Sequence, residues 1–445
     1  MLITGAELAD GRVRDVRIRD GTIESVATGL DAAAGERIVE ARGRHLLPGA
    51  IDVHVHFREP GGSHKETWRS GSESAAAGGV TCVVDQPNTS PPTVDGDAFD
   101  EKADLAAASL VDYGINGGVT GDWDPESLFQ CPLFALGEVF LADSTGDMGI
   151  APDLFEDALA EAADRDVPVT VHAEDETLFD AAALDGDLGG AGTAATVDAW
   201  SAYRTADAEV AAVERALDAA AGTGSQIHVA HTSTPEAIDA VADARESGAS
   251  ATCEVTPHHL FLSRENAGRL GTFGRMNPPL RSERRRTAAF ERLRDGDVDV
   301  VATDHAPHTV AEKRQGLADA PSGVPGVETL YPLLLESVRN GELSMERVRD
   351  VVAANPASIF GLPSKGRVAE GADADLVLVD MTDPRDIEAG ALHSACGWTP
   401  FEGLRGVFPE LTVVRGSVVY ERDPVTGAES FGDSVGRNVR NVSGR

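Results

Sequence analysis

Eight short apolar runs are spaced along the middle of this chain, and five of them carry histidine, aspartate or glutamate side chains able to bind a metal ion. The richest is Asp52-Val53-His54-Val55-His56, which continues into Phe57-Arg58-Glu59-Pro60-Gly61. Side chains on an extended strand alternate between faces, so His54 and His56 point the same way and can grip one ion. The run 80–85 leads into Gln86-Pro87-Asn88-Thr89, and 133–141 carries Glu138 and leads toward Asp143. The runs 167–172 and 226–231 end on His172 and His231, and 298–305 ends on Asp304 and His305. Weaker runs near 111–119 and 251–256 complete the set. Alanine-rich or charged stretches at 69–78, 98–109, 153–166, 206–221, 235–247 and 282–294 separate most of the runs and read as helices. Strand and helix in alternation, with functional groups at the carboxyl ends of the strands, predict an α/β fold, a (β/α)8 TIM barrel.

The 445 residues exceed what such a barrel needs, roughly 250. The excess lies at both ends. Residues 1–49 and 371–425 read as short β-rich pieces broken by glycine, and we expect them to pair into one small β-sandwich domain around a barrel at 50–370. Residues 426–445, rich in Gly, Ser, Asp and Asn, predict a loose tail.

A formal charge of −36, with Lys65, Lys102, Lys313 and Lys365 the only lysines among 38 basic residues, points to a surface adapted to molar salt, where self-repulsion is screened. Such a surface argues against nucleic acid as a partner. No apolar run approaches the roughly 18 residues of a membrane helix, and no signal peptide is recognisable, so a cytoplasmic protein is expected, with a homo-oligomer left open. Cys82, Cys131, Cys253 and Cys396 show no zinc-finger or CxxC spacing and read as buried small hydrophobes.

One strand histidine is ordinarily structural. Here His54, His56, His172, His231 and Asp304 all fall at the ends that a barrel makes converge. Imidazole and carboxylate suit a zinc that keeps a position open for water. Five such ligands exceed the need of one tetrahedral ion, so two zinc ions sharing a bridging hydroxide are expected. Asp52, on the His54 face, is a candidate for orienting an imidazole. His228 should point away from His231 and pack or hydrogen-bond. Of His258 and His259, at least one is expected to brace the site. His45 and His393 lie in the flanking domain and read as incidental.

These residues resemble the cyclic amidohydrolases, and more closely the dihydroorotases, over nearly the whole chain. The resemblance is carried by Pro48-Gly49-Ala50-Ile51-Asp52-Val53-His54-Val55-His56-Phe57-Arg58, Lys65-Glu66-Thr67, Pro87-Asn88-Thr89, Val171-His172-Ala173-Glu174 and His231-Thr232-Ser233-Thr234. It extends through Pro257-His258-His259-Leu260, Met276-Asn277-Pro278-Pro279-Leu280-Arg281 and Thr303-Asp304-His305-Ala306-Pro307-His308. The HxH strand alone indicates the superfamily; the arginine after HxHF, the PNT turn and NPPLR are more specific. The resemblance implies reversible closure of N-carbamoyl-L-aspartate to L-dihydroorotate in pyrimidine synthesis. Metal-bound hydroxide would attack the ring carbonyl, and Asp304 would pass a proton to the departing ring nitrogen. Arg58, two residues past His56, is placed for a bidentate contact with the substrate carboxylate. Asn88 and His308 are implied as further carboxylate donors, and Asn277 as a contact to the ring. The segment 308–323 reads as a loop over the barrel mouth.

The chain departs from the family pattern at two places. A lysine carboxylated by carbon dioxide bridges the metals in many members, but no lysine lies between Lys102 and Lys313. Glu138 occupies the aligned place and supplies a negative charge and two oxygens on a shorter arm; Asp143, on the loop beyond, is the alternative bridge. Gln86 stands where methionine is usual before Pro-Asn, and reads as a minor change. Two other functions compete. An allantoinase or hydantoinase would share the fold and metals but usually lacks the arginine after HxHF and the asparagine before Pro-Pro. An inactive scaffold homologue would have lost ligands that this chain keeps.

Overall fold

The computed structural model describes residues 1–142, 148–185 and 194–441. The eight expected barrel strands are Ala50–Val55, Val80–Asp85, Asp112–Ile115, Leu136–Phe140, Val169–His172, Ile227–Val229, Ala251–Val255 and Val300–Val301. They pair in parallel as a three-stranded and a five-stranded ladder. Single parallel bridges, Gly117 to Leu136 and Val55 to His305, join the two ladders into a closed ring. Closure makes all eight carboxyl ends converge, which a sequence pattern can only imply.

Helices Trp68–Ala77, Gly96–Ala106, Pro152–Ala163, Ala206–Thr223, Pro235–Glu246 and Glu283–Asp295 fall within a few residues of the expected stretches. Their starts are chemical. Thr67, Asp95, Thr205, Thr234 and Ser282 each accept a backbone N–H of the first turn, satisfying donors that a helix start leaves unpaired. Ala208, Ala212, Val213, Ala216, Leu217 and Ala220 repeat every three or four residues and form the buried face of Ala206–Thr223. That helix stops at Gly224, whose φ of 74° suits a residue without Cβ.

Both chain ends build one mixed nine-stranded sheet. Its seam is the antiparallel pair His45–Pro48 with Leu376–Val379, in which Leu46 faces Leu378 and Leu47 faces Val377. Alternation assigns the two faces: Leu46, Leu376 and Leu378 join the core of the small domain, whereas Leu47, Val377 and Val379 join the barrel core. The sheet is thereby fixed to the barrel that it encloses in sequence.

The expected loose tail is corrected as far as residue 441. Glu429–Phe431 pairs antiparallel with Ser417–Arg422. Farther on, Tyr113 donates to Arg437 O at 2.9 Å and accepts from Val439 N at 2.8 Å. The third barrel strand offers unpaired backbone groups there, and the polar tail satisfies them through its own backbone, a role that composition cannot reveal. Among the described residues no helix is long and apolar enough to cross a membrane.

Candidate metal centre and active site

His54 and His56 turn into the barrel mouth with ring centroids 5.3 Å apart. His54 Nδ1 lies 2.6 Å from Glu254 Oε1 and donates its proton there. Its Nε2 is left with a lone pair; buried without a hydrogen-bond partner, it faces Glu138 Oε2 at 3.4 Å and Asp304 Oδ1 at 3.6 Å. His56 repeats the pattern, with Nδ1 2.7 Å from Asn88 Oδ1 and Nε2 3.0 Å from Asp304 Oδ1. His172 gives Nε2–H to Glu174 Oε2 at 2.9 Å and brings Nδ1 to 2.9 Å from Glu138 Oε1. His231 brings Nε2 to 2.6 Å from that same oxygen. In three of the four rings, then, an acceptor outside the cluster takes one proton and fixes which ring nitrogen faces inward, where a metal would replace any second proton.

The ligand atoms of His54, Glu138 and His231 lie within 4.8 Å of one another, and so do those of His54, His56 and Asp304. A set of imidazoles and carboxylates without thiolate fits zinc and related divalent ions. Electrostatics agree. Burial works against the charge on both acids, yet the neighbouring imidazoles outweigh it, holding Glu138 well below the usual carboxylate range and Asp304 at about 2. Reciprocally, burial favours neutral imidazole, but Glu138 and Glu174 raise His172 to about 9. Without a metal the imidazoles carry protons that balance the two acids, and a bound cation would displace those protons.

Arg58, His231 and Asp304 have φ of 67°, 32° and 46°, three of the six positive-φ non-glycine residues among those described. Strain of this kind costs about 1–3 kcal/mol per residue, and its concentration here marks strand ends bent to aim side chains.

Beside the ligands, Arg58, Asn88 and Asn277 line one cavity with Glu138, His231 and Asp304. Burial lowers Arg58 to about 10, which leaves it charged at neutral pH. Its Nε donates to Pro307 O at 3.2 Å. Trp200 Nε1 donates to Asn277 Oδ1 at 3.0 Å and sets the orientation of that amide. The loop after His308 does reach the mouth, where Ser322 and Gly323 line the cavity, and Lys313 Nζ secures it through the carbonyls of Arg275, Pro321 and Gly323 at 2.9–3.0 Å.

His308 has partners of its own within the protein. Its Nδ1 accepts from Lys65 Nζ at 3.1 Å and its Nε2 donates to Ser322 O at 2.8 Å. The 3.2 Å approach of Arg58 Nη2 to that Nε2 therefore sets donor against donor. Burial, reinforced by the charges of Arg58, Lys65 and Lys313, keeps the ring neutral. His308 stands beside Arg58 with its N–H engaged by the loop.

Asp52 is also corrected: it accepts from Thr303 N at 3.0 Å and Thr303 Oγ1 at 2.5 Å, tying the first strand to the eighth instead of orienting an imidazole. The orienting acids are Glu254 and Glu174, neither of them singled out from the sequence. Glu174 is held in turn by Arg204, with Nε at 3.0 Å and Nη2 at 2.5 Å. Their signal was a lone acid inside an apolar strand and an acid two residues past a ligand. His228 is hydrogen-bonded as expected, to Glu254 Oε2 at 3.2 Å and Thr252 Oγ1 at 2.8 Å. His259 is the brace of its pair, reaching Pro278 O at 3.0 Å next to Asn277. Asp143, the alternative to Glu138, lies outside the described residues.

The sequence pattern of the amidohydrolase family matches residues 45–419. The chain is 62% identical over 441 residues to the dihydroorotase of Halobacterium salinarum, covering 99% of each. It is 43% identical over 430 residues to the dihydroorotase of Methanosarcina mazei, covering 94% of this chain and 93% of that one. Among solved structures it superimposes on the L-hydantoinase (dihydropyrimidinase) of Arthrobacter aurescens with a TM-score of 0.91 and 29% identity over 98% of each chain. A family match over most of the length, on a closed barrel with these ligands at its mouth, makes this chain a member of the amidohydrolase family.

Proposed function

We propose that the chain is a dihydroorotase, interconverting N-carbamoyl-L-aspartate and L-dihydroorotate. One observation carries the reading beyond the family: the cavity that collects the histidines and two carboxylates also presents Arg58, Asn88 and Asn277. The 62% identity to a dihydroorotase along the full chain supports it.

His54, His56, Glu138, His172, His231 and Asp304 would hold two zinc ions, His54, His56 and Asp304 toward one side of the cluster and His172 and His231 toward the other, with Glu138 between them. When bound, such ions lower the pKa of water and polarise an amide carbonyl. Arg58 receives the substrate carboxylate. Asn88 already accepts the His56 proton on Oδ1, so its Nδ2 donates to the same carboxylate. Asn277 holds the ring in the orientation set by Trp200. Asp304, ionised at neutral pH, accepts the proton of the attacking water during ring opening and delivers it to the departing ring nitrogen. In closure it takes the ureido proton instead. Lys65 fixes His308, which holds the loop through Ser322 O. A cytoplasmic location accords with cysteines that are all free.

The test is turnover by zinc-loaded protein in high salt, with dihydroorotate, carbamoyl aspartate, hydantoin and allantoin as parallel substrates. Dihydroorotate should turn over, and Asp304→Asn should abolish it because an amide accepts no proton. Hydrolysis of hydantoin or allantoin with none of dihydroorotate would overturn the reading.

A further inference from the structure

Glu138 lies at an irregularity in its strand. Leu136 pairs with Val169 and Val139 with Val171, so two residues, Gly137 and Glu138, stand opposite Thr170 alone. Gly137 has φ of 128°, and a Cβ there would lie 2.2 Å from Thr170 O. A bulge of this kind aims a side chain, but it also takes an amide out of the regular ladder. The amide of Glu138 finds its acceptor on another strand: Gln86 Oε1 receives it at 2.9 Å.

Gln86 is 1% exposed and joins four barrel strands. Its backbone N–H donates to Val55 O at 2.9 Å, its Nε2 to Val53 O at 3.2 Å, and its Oε1 also accepts from Asn116 Nδ2 at 3.1 Å. A backbone N–H is an unambiguous donor, so the bond to Glu138 fixes which end of the Gln86 amide carries oxygen. A methionine here would offer only a weakly accepting sulfur. The two places where the sequence departs from the family pattern are thus in contact.

We propose that Gln86 is a positioning residue for Glu138: it fixes the bulged backbone from which a short carboxylate reaches the metals. The proposal rests on the reading of Glu138 as a metal ligand. Its link to Glu138 is through the backbone amide, while the bonds to Val53 and Asn116 hold the Gln86 side chain in place.

The test titrates Zn2+ into metal-stripped protein against a competing chelator, for Gln86→Met in both the natural and the Glu138→Ala background. Gln86→Met should weaken zinc binding roughly 10–100-fold where Glu138 is present, the range for residues behind a metal ligand. In the Glu138→Ala background it should change nothing further. Gln86→Glu keeps an oxygen for the Glu138 amide but turns its second oxygen toward Val53 O in place of a donor, so it should lose less zinc affinity than Gln86→Met. Equal losses in both backgrounds, or no loss in either, would overturn the proposal. If Gln86→Met gives no folded protein, Gln86→Asp compared with Gln86→Glu decides: both acids lose the donor to Val53 O but only the shorter one withdraws the oxygen, so weaker binding by Asp than by Glu supports the proposal and equal binding overturns it. Unchanged zinc binding by Glu138→Ala alone would remove the ligand reading itself, and this proposal with it.

Discussion

Glu254 is the side chain whose replacement should disturb the metal site most without removing a proposed ligand. It is 1% exposed. Its Oε1 accepts His54 Nδ1–H at 2.6 Å and the His231 backbone N–H at 3.1 Å, while Oε2 lies 3.2 Å from His228 Nε2. Burial opposes its charge, but His54 and His228 overcome that and hold it ionised far below the usual range. In Glu254→Gln the carbonyl oxygen still serves His54 and His231, and His228 can move its proton to the nitrogen facing Thr252. What is lost is charge assistance, about 1–2 kcal/mol as the difference between a charged and a neutral hydrogen bond, or roughly tenfold in zinc affinity. Glu254→Leu strands three buried donors at about 1–3 kcal/mol each, and His54 loses the bond that sets its tautomer. The leucine variant should bind zinc roughly 100-fold more weakly and melt earlier even without metal. Chelator competition and melting of metal-free protein measure the two effects separately. A leucine variant with natural zinc affinity would refute the idea that Glu254 orients His54.

Arg58→Lys should raise KM with little change in kcat, since an ammonium cannot reproduce two parallel bonds; a loss of about 1.5–3 kcal/mol corresponds to roughly 10–100-fold, and an unchanged KM for carbamoyl aspartate would exclude Arg58 as the carboxylate site. His393 should make the attachment of the final strand pH-dependent: burial would lower it, but bonds to Glu328 at 2.8 Å and Glu429 at 3.2 Å raise it from 6.5 to about 10. Its folded value exceeds its unfolded one, so the stabilisation is complete below about pH 6.5 and disappears as pH rises through about 10. His393→Gln should flatten that part of a stability profile, and an unaltered profile would contradict the linkage. The charge of −36 should make melting salt-dependent, because the Debye length grows from about 3 Å at 1 M to about 30 Å at 0.01 M; a melting temperature flat between molar and millimolar potassium chloride would rule out the halophilic reading.

What the sequence disclosed depended on whether the signal was local. His54 and His56 could be read as a pair because strand alternation fixes their relation within three residues. The other ligands could be placed because barrel topology forces strand ends together. Glu254 could not be matched to His54, since nothing within Cys253-Glu254-Val255 says which imidazole lies across the barrel. Gln86 looked like a minor substitution for the same reason: its partner is the amide of Glu138, 52 residues on, released by a bulge that only strand register creates. The partners of His308 were not legible either, because motif position carries no record of tautomer, which Lys65 and Ser322 decide together. The tail was misread because Gly, Ser and Asn describe side chains, whereas its attachment to Tyr113 is made by backbone.

The central claim is that Glu138, ready as synthesised, takes the place of a carboxylated lysine between two ions. Anomalous diffraction at the zinc edge, on protein stripped of metal and reloaded with zinc in bicarbonate-free buffer, tests it most directly. The account predicts two peaks, one beside His54, His56 and Asp304 and the other beside His172 and His231, with the Glu138 carboxylate in contact with both. A single peak, or two peaks bridged by another residue with Glu138 out of contact, would contradict it.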